Sequence, residues 1–210
     1  MLLTEEVRRF IEKIEPTNHI VLFYDTPEAK NNILFNYVSD GLKKKKGVLC
    51  ICSDEGPEQV RRGMMSFGID VEGEEEKGSL LICSYDGWYI ENGRAEALRT
   101  LSRWNKAYEQ FKMKGLGMRV TGETSCFFEH GLVRELMRYE YALHRIFTFP
   151  MDAICMYNLR TIVNTGYTDV IMPILRAHGK AIFATRGGSI VIEPENVEDT
   201  DVEKLLEIKI

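Results

Sequence analysis

No apolar run in these 210 residues approaches the ~20 needed to cross a bilayer. The opening stretch, MLLTEEVRRFIEKIE, mixes acidic and basic side chains in an amphipathic helix pattern and lacks the layout of a secretory signal. The expectation is a cytoplasmic protein with no membrane partner. Cysteine is sparse and odd in number: Cys50, Cys52, Cys83, Cys126 and Cys155, with no C-x-x-C pair. That argues against a disulfide framework and against the usual zinc spacings. The four histidines, His19, His130, His144 and His178, show no metal-ligand spacing either, so no metal is expected. G-x-S-x-G is absent, and no other nucleophile-base pattern replaces it. The sequence therefore predicts no catalytic residue, no cofactor and no enzyme. A basic excess is missing too: the net charge of −5 argues against nucleic acid as a partner. The one basic run, Lys43–Lys46, lies between Gly41 and Gly47, where a helix end would favour cations.

What is present is regular alternation. Short apolar runs at 20–24, 47–53, 79–84, 118–121 and 153–157 read as strands, and amphipathic segments follow them. Helices are predicted over 27–42, 57–68, 94–115, 131–147 and 168–179, with Thr26 as an N-cap, Pro27 in the first turn and Gly41 near the stop. Residues 72–78, EGEEEKG, read as an acidic loop, and 180–192 as a terminal strand or a hairpin around Gly187–Gly188. Strands apolar on both faces, each followed by a helix, indicate an α/β, doubly wound, mostly parallel sheet with helices on both faces.

In such folds ligands bind at the carboxyl ends of the strands. Four predicted strands end in polar groups: Tyr24 and Asp25; Ser53, Asp54 and Glu55; Gly122 and Glu123; Tyr157 and Asn158. Tyr24, Asp54, Glu123 and Tyr157 are expected to line one cavity there. His19 and Arg119 precede or open strands, so a structural hydrogen bond and an ion pair with Glu140 compete with ligand contact for them. The stretch HIVLFYDTPEAKNN (His19 to Asn32) has the strand-loop-helix layout of a phosphate-binding loop. Aligning Lys30 with the lysine of G-x-x-x-x-G-K-[ST] puts Tyr24 and Ala29 at the glycines and Asn31 at the hydroxyl. Asp25 and Glu28 add negative charge where phosphates would lie. ATP binding of the usual kind is therefore not expected, and Lys30 reads as a solvated surface lysine.

The opening third resembles RecA/KaiC-type ATPase domains, with Asp54 and Glu55 where those carry an acidic pair. The segments HIVLFYDTPEA, RVTGETS, RYEYALH and CMYN, in that order, resemble more closely the MEDS domain, the methanogen/methylotroph DcmR sensory domain. That family is similar to the RecA/KaiC fold and has lost the nucleotide loop. The resemblance covers a sensory domain over 17–192, which leaves the amphipathic helix over 1–16 before it and an acidic tail over 193–210 after it. It further implies recognition of a small organic molecule, such as a simple hydrocarbon derivative. Tyr24, Asp25, Asp54, Glu55, Glu123, Tyr157, His19 and Arg119 are the candidate ligand residues. Such modules are commonly joined to a kinase or DNA-binding domain. Neither is seen here, so a separate histidine kinase or transcription regulator is the implied output partner, and assembly into a homo-oligomer is expected as in RecA-like relatives. Two alternatives stay open: a RecA-like ATPase with a degenerate loop, and a scaffold with no ligand.

Overall fold

The computed structural model describes residues 3–14, 19–146 and 150–193. The acidic tail predicted for 193–210 lies almost entirely outside them. In chain order the elements are α1 (Glu5–Glu12), β1 (His19–Tyr24), α2 (Pro27–Lys43), β2 (Lys46–Cys52), α3 (Pro57–Phe67) and α4 (Val71–Lys77). Then come β3 (Leu80–Ser84), β4 (Ile90–Glu91), β5 (Arg94–Ala95), α5 (Ala97–Met113), β6 (Gly117–Glu123), α6 (Ser125–Glu129) and α7 (Val133–Ile146). The chain continues with β7 (Met151–Asn158), α8 (Leu159–Asn164), a 3-10 turn at Thr168–Val170, α9 (Ile171–Ala177), β8 (Lys180–Thr185) and β9 (Gly188–Ile192).

One seven-stranded sheet runs in the order β3-β2-β6-β7-β1-β8-β9, parallel throughout except for the final β8–β9 hairpin. The side-chain period of two sorts each strand between two apolar layers. Val21, Phe23, Leu49, Ile51, Val120, Ala153 and Tyr157 face the layer packed by α5, α6 and α7. Ile20, Leu22, Tyr24, Cys50, Cys52, Ile154 and Met156 face the layer packed by α1, α2 and α3. This is the doubly wound α/β architecture that the alternating pattern predicts.

The differences have local causes. Residues 71–77 form helix α4, not a loop, because Asp70 caps it by accepting from the Gly73 N–H at 3.1 Å. Arg94 and Ala95 lie in the small β4–β5 ribbon, so α5 starts only at Ala97. Leu98, in the first turn of α5, is exposed. The helix expected over 131–147 is preceded by the separate helix α6. Gly41 is not a stop signal: α2 continues through it to Lys43, and a Cβ there would stand 2.8 Å from the Arg119 side chain. The glycine makes room for a buried arginine.

Candidate functional site

β1 ends at Tyr24 and α2 begins at Pro27, so only Asp25 and Thr26 separate strand from helix. Thr26 accepts from the Ala29 N–H at 3.3 Å and starts the helix at once. A two-residue connection is too short to fold around a phosphate, and the described residues carry no positive φ there. The first turn of α2 drops Lys30 onto the sheet, where it is fully buried. The expectation of a solvated lysine is thereby corrected.

Lys30 Nζ is paired with Glu123, the last residue of β6, and with Glu55 Oε2 at 2.8 Å. The other Glu123 oxygen accepts from the Ser53 and Asp54 backbone N–H groups, the latter at 2.7 Å. Asn31 and Gln59 hold Glu55 at 2.9 and 2.8 Å. Beside this pair, Asp54 Oδ2 accepts from the Tyr24 hydroxyl at 2.7 Å and from Asn158 at 2.6 Å. Four strand ends thus meet under the start of α2. Burial opposes charge on Lys30, but the facing Glu123 and Glu55 carboxylates outweigh it and raise the lysine above its ordinary range. Burial, helped by the Asp54 charge, pushes the Glu123 carboxyl up despite Lys30 and the Ser53 amide. Burial and the neighbouring Glu123 and Asp54 charges keep Tyr24 protonated. The Oδ1 atoms of Asp25, Asn31 and Asp54 are buried and find no hydrogen-bond partner among the described residues.

The structure brings together Tyr24, Asp54, Glu55 and Glu123, with Asp25 adjoining them. It does not bring Tyr157. Glu123 is in register with Met156, so the next residue, Tyr157, points through the opposite face. The expected four-residue cavity is corrected accordingly: Asn158, level with Tyr24, takes that place. Tyr157 instead donates to Glu140 at 2.7 Å in the other layer. His19 opens β1 and stands at the amino edge of the sheet. Arg119 is buried four residues before Glu123, pairing with Asp152 at 3.3 Å and Asp40 at 2.7 Å and not with Glu140 as expected. It also donates to the Tyr37 carbonyl at 3.0 Å and stacks over the Tyr37 ring. This is a structural ion cluster. One signal for Lys30 was in the sequence: β6 alternates Arg119, Thr121, Glu123 on one face with Met118, Val120 on the other. A buried polar face needs a cation above it, and Lys30 is the first that α2 offers.

A parallel sheet with this strand order and a carboxyl-edge cluster defines the class: an α/β protein of the RecA/KaiC-like fold whose phosphate-loop position is filled by its own side chains. The chain belongs to the MEDS family, described as the MEthanogen/methylotroph, DcmR Sensory domain, whose model matches residues 18–178. Among solved structures, it is similar to an uncharacterised protein from Pyrococcus horikoshii in complex with an unknown peptide. The TM-score is 0.64 at 15% identity, covering 91% of this chain and 89% of that one. It is also similar to a KaiC-like protein from Pyrococcus horikoshii OT3, with a TM-score of 0.58 at 12% identity, covering 94% of this chain and 81% of the other. Identities this low speak for the fold alone. No curated protein matches the sequence. Among the described residues no helix is long and apolar enough to cross a membrane.

Proposed function

We propose that this chain is a non-catalytic sensory module that binds a small organic molecule at the carboxyl edge of the sheet and does not bind nucleoside triphosphates there. One observation carries the reading. Glu123 already accepts from the lysine and from the two loop N–H groups that would otherwise attract an anion. The anion position is filled by the protein's own carboxylate, so a phosphate would meet two fixed negative charges. The Oδ1 atoms of Asp25, Asn31 and Asp54 are buried there without a hydrogen-bond partner among the described residues. These acceptors suit a small molecule with hydroxyl or amine donors. Family membership supports the sensory role, and a separate kinase or regulator would read its output.

A thermal-shift screen tests this. Magnesium ATP at millimolar concentration is expected to leave the melting temperature unchanged. A matching small hydroxylated or amino compound at a hundredfold excess over Kd adds about 2.7 kcal/mol, or roughly 5–10 °C for a chain of this size. Asp54→Asn is expected to weaken that compound by about one to two decades. ATP binding that is lost in Lys30→Ala would sink the proposal and favour the ATPase alternative.

A further inference from the structure

On the opposite face of the sheet, three side chains from separate elements converge inside the apolar layer. Glu140 comes from α7, Cys155 from β7 and His178 from the residue that ends α9. Glu140 Oε2 lies 3.9 Å from Cys155 Sγ and 3.7 Å from His178 Nε2. One ligand atom from each residue lies within 4.8 Å of the others. All three are more than nine-tenths buried. A carboxylate so far from water is costly unless strongly compensated.

The surroundings orient these groups. His178 Nδ1 lies 2.8 Å from the Ile174 carbonyl oxygen. A carbonyl can only accept, so Nδ1 carries the hydrogen and Nε2 is the nitrogen turned to Glu140. Tyr157 donates to the other Glu140 oxygen at 2.7 Å and fixes that carboxylate. A backbone carbonyl behind an imidazole and a hydrogen bond behind a carboxylate are the outer partners that metal ligands ordinarily have.

We infer that Glu140, Cys155 and His178 form a site for a divalent transition-metal ion of the zinc class, with the fourth position open to water or a small ligand. The inference is independent of the carboxyl-edge reading. One thiolate, one imidazole and one carboxylate make a borderline-soft donor set that suits Zn²⁺ or Co²⁺ over Mg²⁺ or Ca²⁺. Donors at about 2.0–2.3 Å from a tetrahedral zinc stand roughly 3.3–3.7 Å apart, a separation that small side-chain rotations reach from here. The charges cancel, with two positive on the ion against the carboxylate and the thiolate. On binding, the Cys155 S–H bond breaks, a sulfur–metal bond forms and the proton leaves to water, with no change of oxidation state. Because the thiol must lose its proton to ligate, binding strengthens as pH rises.

The test is titration of the intact chain with Co²⁺ under reducing conditions near neutral pH, followed by absorption. The expected result is a saturable thiolate-to-cobalt charge-transfer band at a single equivalent per chain, with one proton released and Zn²⁺ displacing the cobalt. Cys155→Ser should abolish the band, and Cys83→Ser, on β3, should leave it. His178→Gln provides a second variant, expected to bind at least about tenfold more weakly. Absence of a saturable band in the native chain, which needs no variant to fold, overturns the inference. So does a band that survives Cys155→Ser.

Discussion

At the residue scale the decisive group is Lys30. Breaking a buried ion pair leaves an uncompensated charge, at about 3–5 kcal/mol. Glu123→Gln is expected to cost about 2–4 kcal/mol, because Glu55 still faces Lys30 while the hold on the Ser53 and Asp54 amides is weakened. Lys30→Met is expected to cost less than a bare charge would, because the Glu123 carboxyl is already pushed up and can take a proton. The sign follows from proton linkage. With the cation gone, the folded pKa of Glu123 rises further above the unfolded value, so the folded state binds more protons. The variant should therefore gain stability relative to the native chain as pH falls from 7 towards 5. Urea unfolding of both variants and of the Lys30→Met/Glu123→Gln pair measures this. A double loss equal to the sum of the singles would mean that the two residues are not coupled. Glu123, Asp54 and Tyr24 were legible in the sequence because strand ends mark the ligand edge of a parallel sheet. Lys30 was legible only indirectly, through the polar face of β6, because a lysine in a first helical turn has the same local pattern whether it faces water or a buried carboxylate.

At the scale of elements, strand parity separates what could be read from what could not. Apolar runs followed by amphipathic segments give the strands and their helices directly. They do not say which face the last residue of a strand takes, and that choice puts Asn158 beside Asp54 and Tyr157 beside Glu140. Nor does spacing along the chain bring Glu140, Cys155 and His178 together, since the fold joins elements far apart in sequence. Gly122 shows parity at work. It precedes Glu123 and so faces the other layer, where a Cβ would stand 2.1 Å from the Tyr89 hydroxyl oxygen. Tyr89 is buried beside β4 and packs on Trp104, Phe127 and Tyr139, so it has little room to move. Gly122→Ala is expected to destabilise by about 1–3 kcal/mol through overpacking. Tyr89→Phe removes the obstructing oxygen, so the double variant should be closer to Tyr89→Phe alone than additivity allows. Equal effects of Gly122→Ala in both backgrounds would show that the hydroxyl is not the obstacle.

At the scale of the whole molecule, the family match leaves out two pieces that the structure joins. The matched span runs from 18 to 178, with α1 before it and the β8–β9 hairpin after it. β8 pairs with β1 in parallel, and β9 forms the sheet edge. Unpaired edges invite association with other chains unless they are covered. Here α1 lies against β9, and the Thr4 hydroxyl donates to the Ser189 carbonyl at 3.3 Å. Leu3, Val7, Ile11 and Ile14 complete the apolar layer shared with α2. The amphipathic helix read from the first sixteen residues is thus part of the core. Each fully buried aliphatic side chain contributes about 1.5–3 kcal/mol, and with compact unfolded chains the true figure falls towards the lower end. Deleting residues 1–16 is therefore expected to remove roughly 6–8 kcal/mol, or about 12–30 °C of melting temperature. The shortened chain should also associate through the uncovered β9 edge, as sedimentation at increasing concentration would reveal. Val7→Ala/Ile11→Ala in the full chain separates the two effects, since it opens the core and keeps the helix in place against β9. A truncated chain that melts with the native one would show α1 to be an appendage, and the core would then have to be complete without it.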